Sequence, residues 1–345
     1  MAGKHALNWP QLSTKRQSPL KLKRHWLKKK FTNCQNETKE YMFSDELKAR
    51  LRNVHAYAVT PFKKDALLTL DLEGFCGNIQ FMIDRGVQVI AVGGGTGEVD
   101  SLAAAELETL ARAAAEVAGD RALIVPTLPE NLATAAALAP RYQKIGARIA
   151  LGMAPFMRNQ VPEDLEGVFN YYEQLAQVSD LALLPYNTQA WTADFFERLA
   201  AIDKIIGVKD PCQVPHNLFR AIKRLGDRFV WIGNKRHDPG VLHFRFQAGI
   251  EAFTAGFINF IPSYELELFA AAGRRDWDRM IEIQEILAPL ERLRNNYSEG
   301  LLKTGLDLVG LCGGPVRPPR TDASAEGRQA LARELARLGV DLLQG

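Results

Sequence analysis

From His55 onward the chain alternates two patterns: short β-rich apolar runs, and longer segments in which apolar positions recur at helical spacing. The runs fall at His55–Thr60, Val87–Val92, Ala122–Thr127, Arg148–Met153, Leu181–Pro185, Ile205–Val208, Phe229–Ile232 and Ala252–Phe257. Between them lie amphipathic stretches. In Leu102–Ala118, for example, Leu102, Leu107, Leu110 and Val117 share one side, and Glu106, Glu108, Arg112 and Glu116 lie largely on the other. Eight strand–helix units, repeating about every 25–30 residues, predict an α/β fold of the (β/α)8-barrel type. An open doubly wound sheet would more often carry a dinucleotide glycine fingerprint after its first strand, and none is present here.

After an eighth helix near Tyr264–Ala272 the alternation stops. Helical patterns at 276–310 and 324–342 flank the Gly/Pro-rich segment Gly313–Pro319. The first carries an apolar stripe of Met280, Ile283, Ile286, Leu287, Leu290 and Leu293 that must be buried on the barrel or on a partner subunit. The expected organisation is an N-terminal extension over 1–45, a barrel over 46–275 and a helical region over 276–345.

Composition changes this picture in two places. With 345 residues, 47% hydrophobic and 24% charged, the chain can bury a large core, and no apolar run approaches the roughly 18 residues of a membrane span. The net charge of +3 conceals an asymmetry, because residues 1–43 hold ten Lys or Arg against two Glu, leaving −5 for the rest. That tail reads as a disordered extension, or as an over-long start with Met42 as the alternative initiator, and nucleic-acid binding is the lesser reading. Cys34, Cys76, Cys212 and Cys312 are scattered, with no CxxC pair and no histidine at ligand spacing. Neither a zinc site nor a disulfide framework is indicated, and a reducing cytoplasm fits best.

In a (β/α)8 barrel the chemistry sits where strands end at their C-terminal face. The sixth run, Ile205–Val208, ends in Lys209, where burial would favour the neutral, nucleophilic amine; a lysine snorkelling into water is the competing reading. The fifth ends in Tyr186, which could carry protons for imine chemistry or merely pack at the rim. The second enters Gly93-Gly94-Gly95-Thr96-Gly97-Glu98, with Asp100 or Ser101 as the expected N-cap of the next helix. Such a turn can offer backbone N–H groups to a carboxylate, and it lacks the lysine of a P-loop.

Val59-Thr60-Pro61-Phe62, Gly94–Glu98, Pro185-Tyr186-Asn187, Gly207-Val208-Lys209-Asp210 and Gly314-Pro315-Val316-Arg317-Pro318-Pro319 stand in the order seen in the dihydrodipicolinate synthase and N-acetylneuraminate lyase family, which the chain resembles over about Val54–Leu342. Gly94–Glu98, Asn259-Phe260-Ile261-Pro262 and the Gly-Pro-Val-Arg segment with Thr321-Asp322 most resemble the 5-dehydro-4-deoxyglucarate dehydratase branch. The resemblance implies that Lys209 is a Schiff-base lysine and Tyr186 the catalytic acid/base, and that Gly95, Thr96, Asn187, Thr254 and Asn259 bind substrate. It also implies a lyase acting on a small-molecule 2-oxo acid, no metal or organic cofactor, and a homotetramer built as a dimer of dimers. No membrane or nucleic-acid partner is implied.

Departures from the family pattern narrow the chemistry. Dihydrodipicolinate synthases usually have two threonines where this chain has Gly95-Thr96, two tyrosines where it has Phe156-Met157, and an arginine where it has Trp191. The dehydratase branch usually reads Tyr-Asn-Arg where this chain has Tyr186-Asn187-Thr188, so the cation for a second carboxylate is missing. Lys235, His237 and Arg158 are candidate replacements. The expected reaction is dehydration with decarboxylation of a sugar-derived oxo-diacid. The alternatives are a pyruvate-releasing aldolase or dihydrodipicolinate synthase-like enzyme, and a non-catalytic member that keeps the 2-oxo acid pocket.

Overall fold

The computed structural model describes residues 45–155, 165–211, 213–235 and 240–343. The readings placed on the basic tail, Met42, Phe156-Met157, Arg158, Cys34, Cys212 and His237 therefore lie outside the described residues. Eight strands form the barrel: β1 (Val54–Tyr57), β2 (Val89–Val92), β3 (Leu123–Leu128), β4 (Ile149–Gly152), β5 (Ala182–Pro185), β6 (Gly207–Lys209), β7 (Val230–Asn234) and β8 (Ala252–Ala255). They pair in parallel in the order β5-β4-β3-β2-β1-β8-β7-β6. The two ends of that sheet meet through parallel bridges at Leu183–Ile205 and Tyr186–Lys209, which bring the ring together.

Around the strands run α1 (Leu72–Asp84), α2 (Ala104–Ala118), α3 (Leu132–Lys144), α4 (Leu165–Val178), α5 (Ala193–Leu199), α6 (Pro215–Leu225), α7 (Leu242–Ala248) and α8 (Pro262–Arg274). Side-chain alternation along each strand builds two cores. Val89, Ala91, Leu123, Val125, Ile149, Leu151, Leu184 and Ile232 fill the barrel, with Leu47 and Leu51 of the helical turn at 45–51 in the same cluster. Ile90, Val92, Ile124, Ala150, Leu183 and Val208 face outward and pack with the helices. Beyond the barrel, α9 (Trp277–Leu308) packs against α8 and against α10 (Ala325–Arg337), which buries Met280, Ile283, Leu287 and Leu290 within the chain itself.

One local expectation is corrected. Neither Asp100 nor Ser101 caps α2. Residues Val99–Ser101 form a single 3-10 turn, Leu102 is extended at φ −104° and ψ 131°, and α2 begins only at Ala104. The N-cap is Ala103, whose N–H donates to Glu106 Oε2 at 2.9 Å. The polar pair is occupied elsewhere: Asp100 pairs with Arg320 at 2.6 Å, and the Ser101 carbonyl accepts from Arg317 at 2.8 Å. The glycine turn thus leads into one 3-10 turn, and the dipole argument for anion binding there lapses.

Candidate active site

Val208 points outward into the helix layer, so its neighbour Lys209 points into the barrel mouth. Only 6% of Lys209 is exposed, and its Nζ lies 3.9 Å from the ring centroids of both Tyr57 and Tyr186. Burial first, then the positive charge of Arg294, lowers its pKa to about 7. Near neutrality about half of these amines are therefore unprotonated. Tyr57 is pushed the other way, well above the usual phenol range, by burial and then by Tyr186, so it remains a protonated donor.

The Tyr186–Lys209 bridge aligns the residue just past β5 with the end of β6, and the Lys209 amine lies over the Tyr186 ring. Asn187 fastens the same junction. Its backbone N–H donates to the Lys209 carbonyl at 2.8 Å, its Nδ2 donates to Asp210 at 2.7 Å, and its Oδ1 accepts from the N–H groups of Gln189 and Trp191.

The glycine turn owes its shape to close packing. Gly93 has φ +64°, and a Cβ on Gly94 would lie 3.1 Å from the Tyr57 ring, so Tyr57 occupies space that Gly94 leaves. At the end of the turn Glu98 adopts φ +61°, unusual for a residue with a side chain. Two contacts hold it there: its carboxylate pairs with Lys303 of α9 at 2.6 Å and accepts the Arg317 N–H at 3.0 Å.

These elements enclose a cavity of about 290 Å³ lined by Tyr57, Gly95, Thr96, Tyr186, Lys209, Asn234, Thr254, Ala255, Gly256, Arg294, Glu299 and Arg320. Of the residues singled out from the sequence, Lys209, Tyr186, Gly95, Thr96 and Thr254 meet in this cavity. Asn187 and Asn259 do not line it. Asn259 is 1% exposed and braces the β1 exit, accepting from the Val59 N–H and donating to the carbonyls of Tyr57 and Gly256. Trp191 is fully buried against Tyr172, Phe195 and Phe196.

Lys235, a candidate cation for the second carboxylate, does not line the cavity either. It is 3% exposed and bonds to Glu265 at 2.8 Å and Glu291 at 2.6 Å. Burial lowers its pKa, but the charges and hydrogen bonds of the two carboxylates together raise it above the ordinary lysine value. With the two glutamates it forms a buried ion cluster.

The cavity residues not singled out from the sequence are Tyr57, Asn234, Ala255, Gly256, Arg294, Glu299 and Arg320, the last three from beyond the barrel. A signal for Arg294 exists. It follows Ile283, Leu287 and Leu290 at spacings of four, three and four, which puts a guanidinium on the apolar stripe of α9. Among the described residues no group of three His, Cys, Asp or Glu is placed to hold a metal ion.

A (β/α)8 barrel with a buried lysine at one strand exit and a phenol at the next has the parts that nucleophilic chemistry on a carbonyl compound requires. The sequence pattern of the Dihydrodipicolinate synthetase family matches residues 50–338, and the chain belongs to that family of lyases. It is 27% identical over 285 residues to a protein named probable 5-dehydro-4-deoxyglucarate dehydratase from Methylobacterium radiotolerans, covering 80% of this chain and 91% of that one. A protein of the same name from Ralstonia nicotianae is 27% identical over 290 residues, covering 82% and 92%. In fold the chain matches dihydrodipicolinate synthase from Oceanobacillus iheyensis with a TM-score of 0.79 at 22% identity, covering 87% of this chain and 100% of that one. The corresponding synthase from Aquifex aeolicus gives 0.77 at 24% identity, with coverage of 84% and 99%.

Proposed function

We propose that this lyase forms a Schiff base between Lys209 and a 2-oxo acid, and that its reaction is dehydration with decarboxylation of a sugar-derived oxo-diacid of the 5-dehydro-4-deoxyglucarate kind. The observation that carries the proposal is the state of Lys209: buried in a cavity, flanked by two phenol rings, and held near pKa 7. The names of the curated relatives support the choice of substrate class.

In this reaction the substrate carboxylate docks on Gly95-Thr96 and the neutral Lys209 amine adds to the adjacent carbonyl carbon. Water leaves the carbinolamine as the iminium forms, with Tyr186 carrying the proton. The iminium makes the neighbouring C–H acidic. Loss of that proton and of the hydroxyl one carbon further releases water and leaves a conjugated iminium. That conjugation can accept the electron pair of the distal carbon–carboxylate bond, releasing carbon dioxide. Reprotonation and hydrolysis then free Lys209 and a shortened dicarbonyl acid.

Incubation with such a substrate and borohydride should fix one adduct per chain on Lys209, located by peptide mass spectrometry, with carbon dioxide released in the absence of reductant. An active preparation that yields no adduct, or an adduct on another lysine, would overturn the assignment of Lys209. We further propose a homotetramer, a dimer of dimers, acting in the cytoplasm. Sedimentation velocity checks the oligomer, and a monomer would remove that part.

A further inference from the structure

The chemistry above occupies one end of the ligand. Lys209, Tyr186, Gly95 and Thr96 account for the carbonyl and its carboxylate, and nothing in that set meets the far end of a diacid. The cavity wall beyond the strand ends is built from the C-terminal region: Arg294 and Glu299 from α9, and Arg320 from the segment after it.

Arg294 is only 6% exposed although it lines the cavity. Its guanidinium is seated against Gly256, just past β8, where any Cβ would collide with it. The guanidinium carbon lies 5.8 Å from the Phe257 ring centroid, and Nη2 lies 3.5 Å from Thr96 Oγ1. This seat fits arginine in shape, with glycine below and an aromatic ring beside it. Arg320 is anchored by Asp100 at 2.6 Å and Ser101 Oγ at 3.0 Å, and lies 3.8 Å from Glu299. Among the described residues lining the cavity, the charged side chains besides Lys209 are two guanidiniums and one carboxylate. A buried guanidinium of this kind is best matched by a carboxylate, which it can bind through two parallel N–H donors.

We propose that Arg294, with Arg320 beside it, binds a second carboxylate on the ligand held by Lys209, and so makes the enzyme select 2-oxo diacids over 2-oxo monoacids. The cation missing after Tyr186-Asn187 is thereby supplied from a different element, the long C-terminal helix. The proposal rests on the Schiff-base assignment for the placement of the ligand's other end.

A matched pair of probes separates the two ideas: 2-oxoglutarate and 2-oxopentanoate have the same chain length and differ in the distal carboxylate. The concentration giving half-maximal borohydride fixation is measured for each. The wild type is expected to favour the diacid by about 10–100-fold, and Arg294→Gln should bring the two within about threefold. Using the ratio cancels any change in the basicity of Lys209, because both probes react with the same amine. Arg294→Lys, which keeps the charge but not the fork, should retain a preference between these limits.

Equal losses for both probes in Arg294→Gln would overturn the proposal, since Arg294 would then serve the carboxylate next to the carbonyl. A wild type with no preference would overturn it without any variant. If neither probe is fixed by the wild type, the Schiff-base assignment fails instead. The diacid preference is then read by calorimetric titration of the same two compounds, which needs no imine, and equal binding would sink it.

Discussion

Lys209 at the end of β6 and Lys235 just past β7 leave neighbouring strands at the same face of the barrel, and both are almost hidden from water, at 6% and 3% exposure. They nevertheless move in opposite directions as acids. Lys209 has two phenol rings and a nearby guanidinium, and its pKa falls to about 7. Lys235 has two carboxylates, and its pKa rises. Burial alone therefore does not make a nucleophile. What decides is whether an anion shares the buried space, because an anion restores the charged form that burial disfavours.

The largest expected contrast comes from removing each amine in turn. Lys209→Met should lower turnover by at least about 10³-fold. The same change should raise stability to urea at pH 7, because the folded amine titrates near 7 while the unfolded one titrates near 10.5. Between those values the unfolded chain binds more protons. The cost of burying Lys209 thus grows as pH falls from 10.5 to 7, is complete below 7, and disappears above 10.5. A variant less stable than wild type at pH 7 would place Lys209 in the same class as Lys235.

Next in size, Tyr186→Phe should slow turnover by about 10²–10⁴-fold while a borohydride adduct still forms, as expected for a positioned proton carrier. An unchanged turnover number would reduce Tyr186 to packing. Lys235→Met should cost about 3–5 kcal/mol in urea unfolding, since Glu265 and Glu291 would lose the cation they share. Replacing both glutamates by leucine alongside it should recover most of that loss, and no recovery would mean that Lys235 matters for something other than charge.

The smallest effect is on the pH profile. Adduct formation by the wild type should fall about tenfold per unit below pH 7, because only the neutral amine attacks. Arg294→Gln removes a positive neighbour and should move that midpoint upward, as read from trapping rates across pH 5–9. A midpoint that stays in place would show burial acting alone.

Much of the fold was legible because the apolar period changes from strand to helix eight times, and that change survives in any one sequence. Strand ends were legible to within a few residues, so Lys209 and Tyr186 could be named from position. Partners were not. Lys235 and Lys209 look alike in sequence, each following a short apolar run, and their difference lies in Glu265 and Glu291, which are distant along the chain. Asn187 and Asn259 sit in the right motifs, yet their amides are consumed by backbone groups and, for Asn187, by the Asp210 carboxylate. Arg294 escaped notice because it belongs to a helix outside the eight-fold pattern, where only an interruption in an apolar stripe marks it.

The reach of α9 and the following segment over the barrel mouth also bears on when the enzyme becomes competent. Arg294, Glu299 and Arg320 close the cavity, and Lys303 and Arg317 hold Glu98 in the glycine turn. All five leave the ribosome after the last strand, at about 5–20 residues per second. Competence therefore depends on residues 294–320, beyond the last strand, and not on the ring of eight strands alone.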